Sequence, residues 1–260
     1  MISKLASIHP TAKIATNVTV EDFAVIGADV EIGDNCIIKS HSVIRGPTVI
    51  GNNNVIYQFA SIGDQPQDLK FGDEISYLEI GDNNTFREYV SVNRGTKHGG
   101  SVTRIGNNNL FITHSHVAHD CQIGDYNILG NCTALAGHVE LADHIILSAN
   151  TKVTQFLSIG SYVFSTISTN ISKNIPPFVW VSGQPAQALT LNKVGLLRNG
   201  FSKQEIAQVR KLHKVFFRMS YKLETALAEI EKITKDNPKL NIFTDFVKQH
   251  KDHALGIIRK

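Results

Sequence analysis

The chain has 260 residues, with 26 Lys plus Arg against 23 Asp plus Glu and a formal charge of +3. So small and evenly scattered a charge argues against a nucleic-acid binder, and 42% hydrophobic against 19% charged residues excludes disorder as the main state. Cys36, Cys121 and Cys132 lack the CxxC spacing of a zinc or disulfide framework. The opening MISKLASIHPTAKIATNV carries no apolar signal core and no run approaches ~18 apolar residues, so a soluble, cytoplasmic chain without stable membrane insertion is expected.

From Ile8 the chain repeats every six residues: Ile14, Val20, Ile26, Ile32 and Ile38 follow, and the series holds through Ile62. It lapses at Asp68, returns at Ile80, Phe86 and Val92, restarts at Ile105 and runs to Ile171, with Ser165 its only polar member. A period of six suits neither a helix nor a plain alternating strand. It suits short strands joined by regular corners, each sending one large side chain inward. Small or medium residues four positions after each rung, such as Ala12, Val18, Ala24, Val30, Cys36 and Ala60, predict a second inward column. Ile-Gly pairs recur every eighteen residues, as at Ile32-Gly33 and Ile50-Gly51 or Ile105-Gly106 and Ile123-Gly124. Glycine before Asn or Asp reads as a corner that needs positive φ. Three such faces make a triangular parallel β-helix, whose coils stand only when stacked.

Two stretches break the ladder. Gln65 to Tyr77 places Asp68 where a rung belongs, and Thr96 to Thr103 lengthens one step. Both are expected to be loops leaving the wall, where sites are commonly built. Pro176-Pro177 marks the end of the repeats. The expected domains are a β-helix over 1–185 and an α-helical domain over 186–260. Ser202 to Glu205 forms a capping box opening a helix to about Phe217, with further helices over Leu223 to Lys235 and Ile242 to about His250.

Chemistry concentrates in Thr113-His114-Ser115-His116-Val117-Ala118-His119-Asp120. Val117 is an inward rung, so His116 and Ala118 should point outward, and His119 with Asp120 lies near the next corner. One coil later Gly137 falls above His119 and His138 above Asp120. An imidazole oriented by a carboxylate can take a proton from a hydroxyl near neutral pH. The competing expectations are a hydrated histidine face and a three-ligand zinc site using His114 and His119. The latter resembles the pattern of gamma-class carbonic anhydrases, but that pattern lacks its upstream third histidine here, Leu78 standing in its place.

The hexapeptide ladder, IYQFASIGDQPQDLK, RGT before the second loop, SHVAHDC, AGHV, PPF, GLLRNGF and the late FTDF together resemble the UDP-N-acetylglucosamine O-acyltransferase family over almost the full chain. The resemblance implies a left-handed helix, a homotrimer with active sites between subunits, and no cofactor or metal. It further implies a 3-hydroxyacyl donor on acyl carrier protein and, as acceptor, the glucosamine 3-hydroxyl of a UDP-sugar. It assigns His119 as general base, Asp120 as its orienting partner and the Gly137 N–H as oxyanion donor. It assigns Gln67, Asp68, Lys70, His116, His138, Gln155, Asn192 and Arg198 to the sugar nucleotide, with Lys70 and Arg198 as phosphate partners. Ile167 matches a position that helps set acyl length, and its bulk implies a chain below fourteen carbons.

The sequence also departs from the family. Asn93 stands where His is common, Thr154 replaces the His before Gln155, and Ser148-Ala149 replace a Gly-Gly pair. Val194 replaces an acidic residue and Asn199 an Arg. These leave N-acylation of a 3-amino UDP-sugar analogue and a non-catalytic trimeric paralogue as alternatives, although a scaffold has no use for His119, Asp120, Gly137 and Lys70. Lys203, Arg210, Lys211, Lys214, Arg218 and Lys222 offer a basic helical face that could steer an acidic carrier protein.

Overall fold

The computed structural model describes residues 1–72, 74–235 and 237–259. Rungs become strands mostly two residues long, stacked in three all-but-parallel sheets of nine, eight and ten strands. The first wall begins at Ser7–Ile8, the second at Lys13–Ile14 and the third at Thr19–Val20, and the chain visits them in turn as a left-handed parallel β-helix. Inward rungs such as Ile26, Ile44, Ile62, Phe86, Phe111 and Leu129 are fully buried. Ser165, the polar rung, is buried as well and shares a 2.8 Å hydrogen bond with the Thr151 hydroxyl.

The second inward column is apolar at Val18, Ala24, Val30, Cys36 and Ala60, as expected, but along the third wall asparagine replaces it from Asn54 to Asn127. Asn54, Asn84, Asn109 and Asn127 lie one above another. Each Oδ1 accepts the backbone N–H of the next coil, at 2.7–2.9 Å, and each Nδ2 donates to a carbonyl of the adjacent corner. A ladder of this kind satisfies corner groups that the short strands leave unpaired.

The corner glycines have a different reason from the one their sequence implies. Gly33, Gly51, Gly81, Gly106 and Gly124 are not in the left-handed region; Asn35, Asn53, Asn83 and Asn108, two residues further on, are. A Cβ on Gly51 would lie 2.8 Å from the Gly81 carbonyl carbon and oxygen, so glycine is required by the close approach of successive coils. Aromatic residues also hold positive φ, and their rings stack up the corner: Phe23, His41, Phe59, Tyr89 and His114 follow at 4.8–5.4 Å. Ring stacking offsets part of the backbone cost.

Both interruptions leave from the corner between the first and second walls. One joins Ser61–Asp64 to Tyr77–Ile80 and the next joins Ser91–Asn93 to Val102–Ile105. Tyr77, Val102 and Thr103, expected in the loops, are already strand; Asp73 lies outside the described residues. The third wall ends in Val179–Ser182, on which Gln187–Leu191 folds back antiparallel. Helices follow at Lys193–Arg198 (α1), Lys203–Arg218 (α2), Leu223–Thr234 (α3) and Asn241–His250 (α4). The capping box of α2 is complete, Glu205 N–H donating to Ser202 Oγ at 3.1 Å and Ser202 N–H to Glu205 Oε2 at 2.6 Å. Helix α1 and the hairpin had no periodic signal. Phe201, Phe216 and Phe243 pack with Phe178 to seal the end of the core.

Candidate active site

Three consecutive coils commit one corner to chemistry: the first carries the loop after Asp64, the second the loop after Asn93, and the third His119 and Asp120. Asp120 sits in the left-handed region with its side chain wholly buried. His119 Nδ1–H donates to its Oδ2 at 2.7 Å. Thr96 donates twice, N–H to Oδ1 and hydroxyl to Oδ2, both at 2.7 Å, and the Asp120 N–H donates to Thr103 Oγ1 at 2.8 Å. Because the carboxylate can only accept, Nδ1 carries the proton and Nε2 presents its lone pair.

Gly137 lies one coil above. A Cβ there would be 2.6 Å from His119 Cε1 and 2.8 Å from Nε2, so the imidazole occupies the space a side chain would need. Among the described residues none accepts the Gly137 N–H. His138 follows, its ring edge-on to His119 at 5.2 Å and its Nε2 3.6 Å from Asp120 Oδ2, with Phe156 stacked on it at 4.4 Å. Burial pushes the His138 imidazole below its ordinary pKa, and Asp120 opposes that shift. His116 points outward from the first wall and shares a 2.8 Å hydrogen bond with Ser91; burial, then His119 and Lys152, lower its pKa. Ala118 is nearly covered at 9% exposure.

Gln155 lies exposed one coil above Gly137, and Asp68 in the first loop is close enough for its charge to act on His138. Gln67 and Lys70 are exposed on the same loop. The root of that loop is held by Asn93, whose Nδ2 donates to the Gln65 carbonyl at 2.9 Å while its buried Oδ1 has no partner among the described residues. Other predicted residues lie elsewhere on the chain. Asn192 is the N-cap of α1, its Oδ1 accepting from Gly195 N–H at 3.0 Å and its Nδ2 donating to the Tyr162 carbonyl, at the corner between the second and third walls. Arg198 ends α1 exposed, and Ile167 is 67% exposed at the corner between the third and first walls.

His119, Asp120 and His138 each bring a ligand-type atom to within 4.8 Å of the others. Both Asp120 oxygens are already used by Thr96 and His119, so a cation would have to displace those bonds; the trio fits a proton relay better than a ligand set. His114 does not join it, being stacked on Tyr89 at a different corner, which removes the proposed His114–His119 zinc pair. Thr96 and Thr103 were not singled out in the sequence. Aligning the rungs Ile105 and Ile123 would have set Thr103 beneath Cys121, next to Asp120, and that register was legible.

A bacterial transferase hexapeptide model matches residues 11–46, and a model described as UDP N-acetylglucosamine O-acyltransferase, domain 2, matches 174–258. Fold, corner chemistry and these matches define a hexapeptide-repeat acyltransferase. The UDP-N-acetylglucosamine acyltransferase of Francisella novicida is 37% identical, with TM-score 0.96 over 100% of this chain and 94% of that one. LpxA of Acinetobacter baumannii is 39% identical with TM-score 0.95 over 99% of both chains, and that of Bacteroides fragilis 40% identical with TM-score 0.95 over 100% of both. The chain belongs to the UDP-N-acetylglucosamine acyltransferase family.

Proposed function

We propose that the chain moves a 3-hydroxyacyl group from acyl carrier protein to the glucosamine 3-hydroxyl of UDP-N-acetylglucosamine, the first step of lipid A biosynthesis, in the cytoplasm. The observation that carries this is the free Nε2 of His119, backed by Asp120, beside the unpaired Gly137 N–H. Nε2 takes the proton of the sugar hydroxyl as its oxygen bonds to the thioester carbonyl carbon. The negative charge that develops on the carbonyl oxygen is met by the Gly137 N–H, a contact of a kind worth about 3–4 kcal/mol in the transition state. Collapse breaks the C–S bond, and the imidazolium returns its proton to the sulfur. The thioester is already activated, so no covalent enzyme intermediate is needed.

Gln67, Asp68 and Lys70 of the first loop, with His116, His138 and Gln155, would hold the sugar nucleotide, Lys70 at its phosphates. Asn192, Arg198 and Ile167 would come from a second copy. The third wall presents Ile37, Val55, Leu110, Ile128, Ile146 and Phe164 outward, and the first presents smaller residues such as Val25, Val43, Ser61, Ser91 and Ala134. Packing third wall on first around a threefold axis at their shared corner would carry α1 of one copy to the His119 corner of the next. A homotrimer thus accounts for an apolar wall and a divided residue set together. On the helices, Arg210, Lys214 and Arg218 join Lys193 around a 430 Å³ groove without an acidic lining residue, a match for an acidic carrier protein.

A mass-resolved transfer assay tests the proposal. Purified protein receives 3-hydroxyacyl carrier proteins of several lengths with UDP-N-acetylglucosamine or its 3-amino analogue, beside His119→Ala. The expected result is an O-acylated product that falls at least ~10²-fold in the variant. Product with the amine alone would move the function to N-acylation, and product undiminished in His119→Ala would end the mechanism.

A further inference from the structure

The second loop touches the catalytic pair from behind, away from the free Nε2. Thr96 is 2% exposed and spends both of its donors on Asp120. Its hydroxyl also accepts, at 3.3 Å, from Gly99 N–H, closing the short 3-10 turn Lys97–Gly99 over the carboxylate. That turn is seated so tightly that a Cβ on Gly99 would fall 2.0 Å from Asp120 Cγ. On the far side of the loop, Thr103 takes the Asp120 backbone N–H. Gly95 has no room for a side chain either, a Cβ there lying 2.2 Å from Val102 N. Arg94 pins the same segment to the two coils below through the Gly46 and Gly63 carbonyls, at 2.9 and 2.6 Å.

We infer that Thr96 is a positioning residue for acyl transfer and that the 96–101 insertion is a clamp whose task is to hold and dehydrate the Asp120 carboxylate behind His119. The inference rests on His119 acting as the base. Two donors from one residue fix both oxygens of Asp120, so only the Oδ2 direction toward His119 Nδ1 remains open. The turn over it keeps water from competing for that direction. Without the Thr96 hydroxyl, Oδ2 loses a donor that favours the bare carboxylate and becomes the more basic partner of the imidazole. His119 then holds its proton more strongly.

The groups facing this pair are His138, with Nε2 3.6 Å from Oδ2, His116 with Lys152 beside it, and Asp68 acting on His138. None of them is changed by a substitution at 96. Thr96→Val keeps the volume and removes the hydroxyl donor, and Thr96→Ser restores it. In Thr96→Val, kcat is expected to fall about tenfold, in line with loss of a hydrogen bond to a charged group, while KM for the sugar nucleotide stays within about twofold. The acid limb of the kcat/KM profile should move to higher pH, and Thr96→Ser should recover both.

A second readout needs no turnover. The His119 imidazole is titrated by 15N NMR in wild type and both variants, with thermal melting as a check on folding. A midpoint raised in Thr96→Val and normal in Thr96→Ser supports the clamp even if the protein acylates no sugar. Equal midpoints in all three, with kcat unchanged, overturn it. If Thr96→Val does not fold, Thr96→Ser with a lowered kcat and a displaced midpoint also overturns it, since the hydroxyl is retained.

Discussion

Gly137→Ala isolates the contact between the proposed base, His119, and the proposed oxyanion donor. Gly137 does not occupy the left-handed region, so alanine costs nothing in φ and its effect is steric. The new methyl would begin 2.6 Å from His119 Cε1 and 2.8 Å from Nε2, against an ordinary carbon contact of about 3.5–4.0 Å. The ring must therefore retreat by about 1 Å, and its Nδ1 is tied to a buried carboxylate that the second loop locks in place. A displacement of about 1 Å at a reacting group can cost about 10²-fold in rate, and overpacking at the corner costs roughly 1–3 kcal/mol of stability. Steady-state acyl transfer with UDP-N-acetylglucosamine, run with thermal melting and sedimentation on the same sample, should show kcat down about 10²-fold in a protein of unchanged assembly. Adding His119→Ala to Gly137→Ala should reduce the rate little beyond His119→Ala alone, because both act on one imidazole. A Gly137→Ala enzyme within threefold of wild type would mean that the ring is not seated where the geometry puts it.

The asparagine ladder makes a stability prediction: Asn109→Ala leaves the buried Asn127 N–H without its partner and removes a donor from the part-buried Gly124 carbonyl. At about 1–3 kcal/mol for the buried orphan, urea unfolding at fixed protein concentration should show a loss in that range, and one below about 1 kcal/mol would contradict the role given to the ladder. His213 on α2 is pushed down to about 4, by burial first and then by Arg218. The unfolded chain thus binds this proton from about pH 6.5 while the folded one waits until about 4. Stability is full above the ordinary histidine range and falls across that interval, by about 3 kcal/mol at most; His213→Gln should flatten the pH dependence of unfolding there, and an unaltered slope would refute it. Ile167→Gly should move the preferred donor toward longer 3-hydroxyacyl chains in the length panel, whereas an unchanged preference, or a wild type that favours fourteen carbons or more, would remove Ile167 as a length determinant.

The fold was legible because one physical rule repeats. An inward residue every sixth position is visible from Ile8 to Ile171 without any knowledge of partners, and insertions show as broken arithmetic. Coil-to-coil register followed from the same count, so Gly137 above His119 could be placed before any coordinates. What failed had non-periodic causes. The corner glycines answer to a neighbouring coil's carbonyl rather than to their own φ, a distinction that composition cannot make. The Thr96 contact to Asp120 depends on the path of a loop, and helix α1 is one and a half turns anchored by a cap on Tyr162, too short to carry a period. Likewise, H-x4-H looked like a ligand pair because spacing along the chain ignores which corner each histidine occupies.

The solenoid also supplies a dimension of the chemistry. Residues one coil apart at a corner are separated by the spacing between paired strands, about 4.8 Å. His119 and Gly137 are such a pair, and the coil-to-coil bond from His138 N–H to the His119 carbonyl, at 3.0 Å, holds that separation. In the proposed reaction the base must reach the hydroxyl oxygen while the oxyanion donor reaches the carbonyl oxygen of the same tetrahedral carbon, two atoms that lie a few ångströms from their respective partners. A backbone repeat fixes both groups to one ruler, with neither on a mobile loop. The loops then have freedom to serve other ends, the first exposing Gln67 and Lys70, proposed to meet the substrate, and the second closing over Asp120. Insertions at this corner therefore add function without disturbing the distance on which transfer depends.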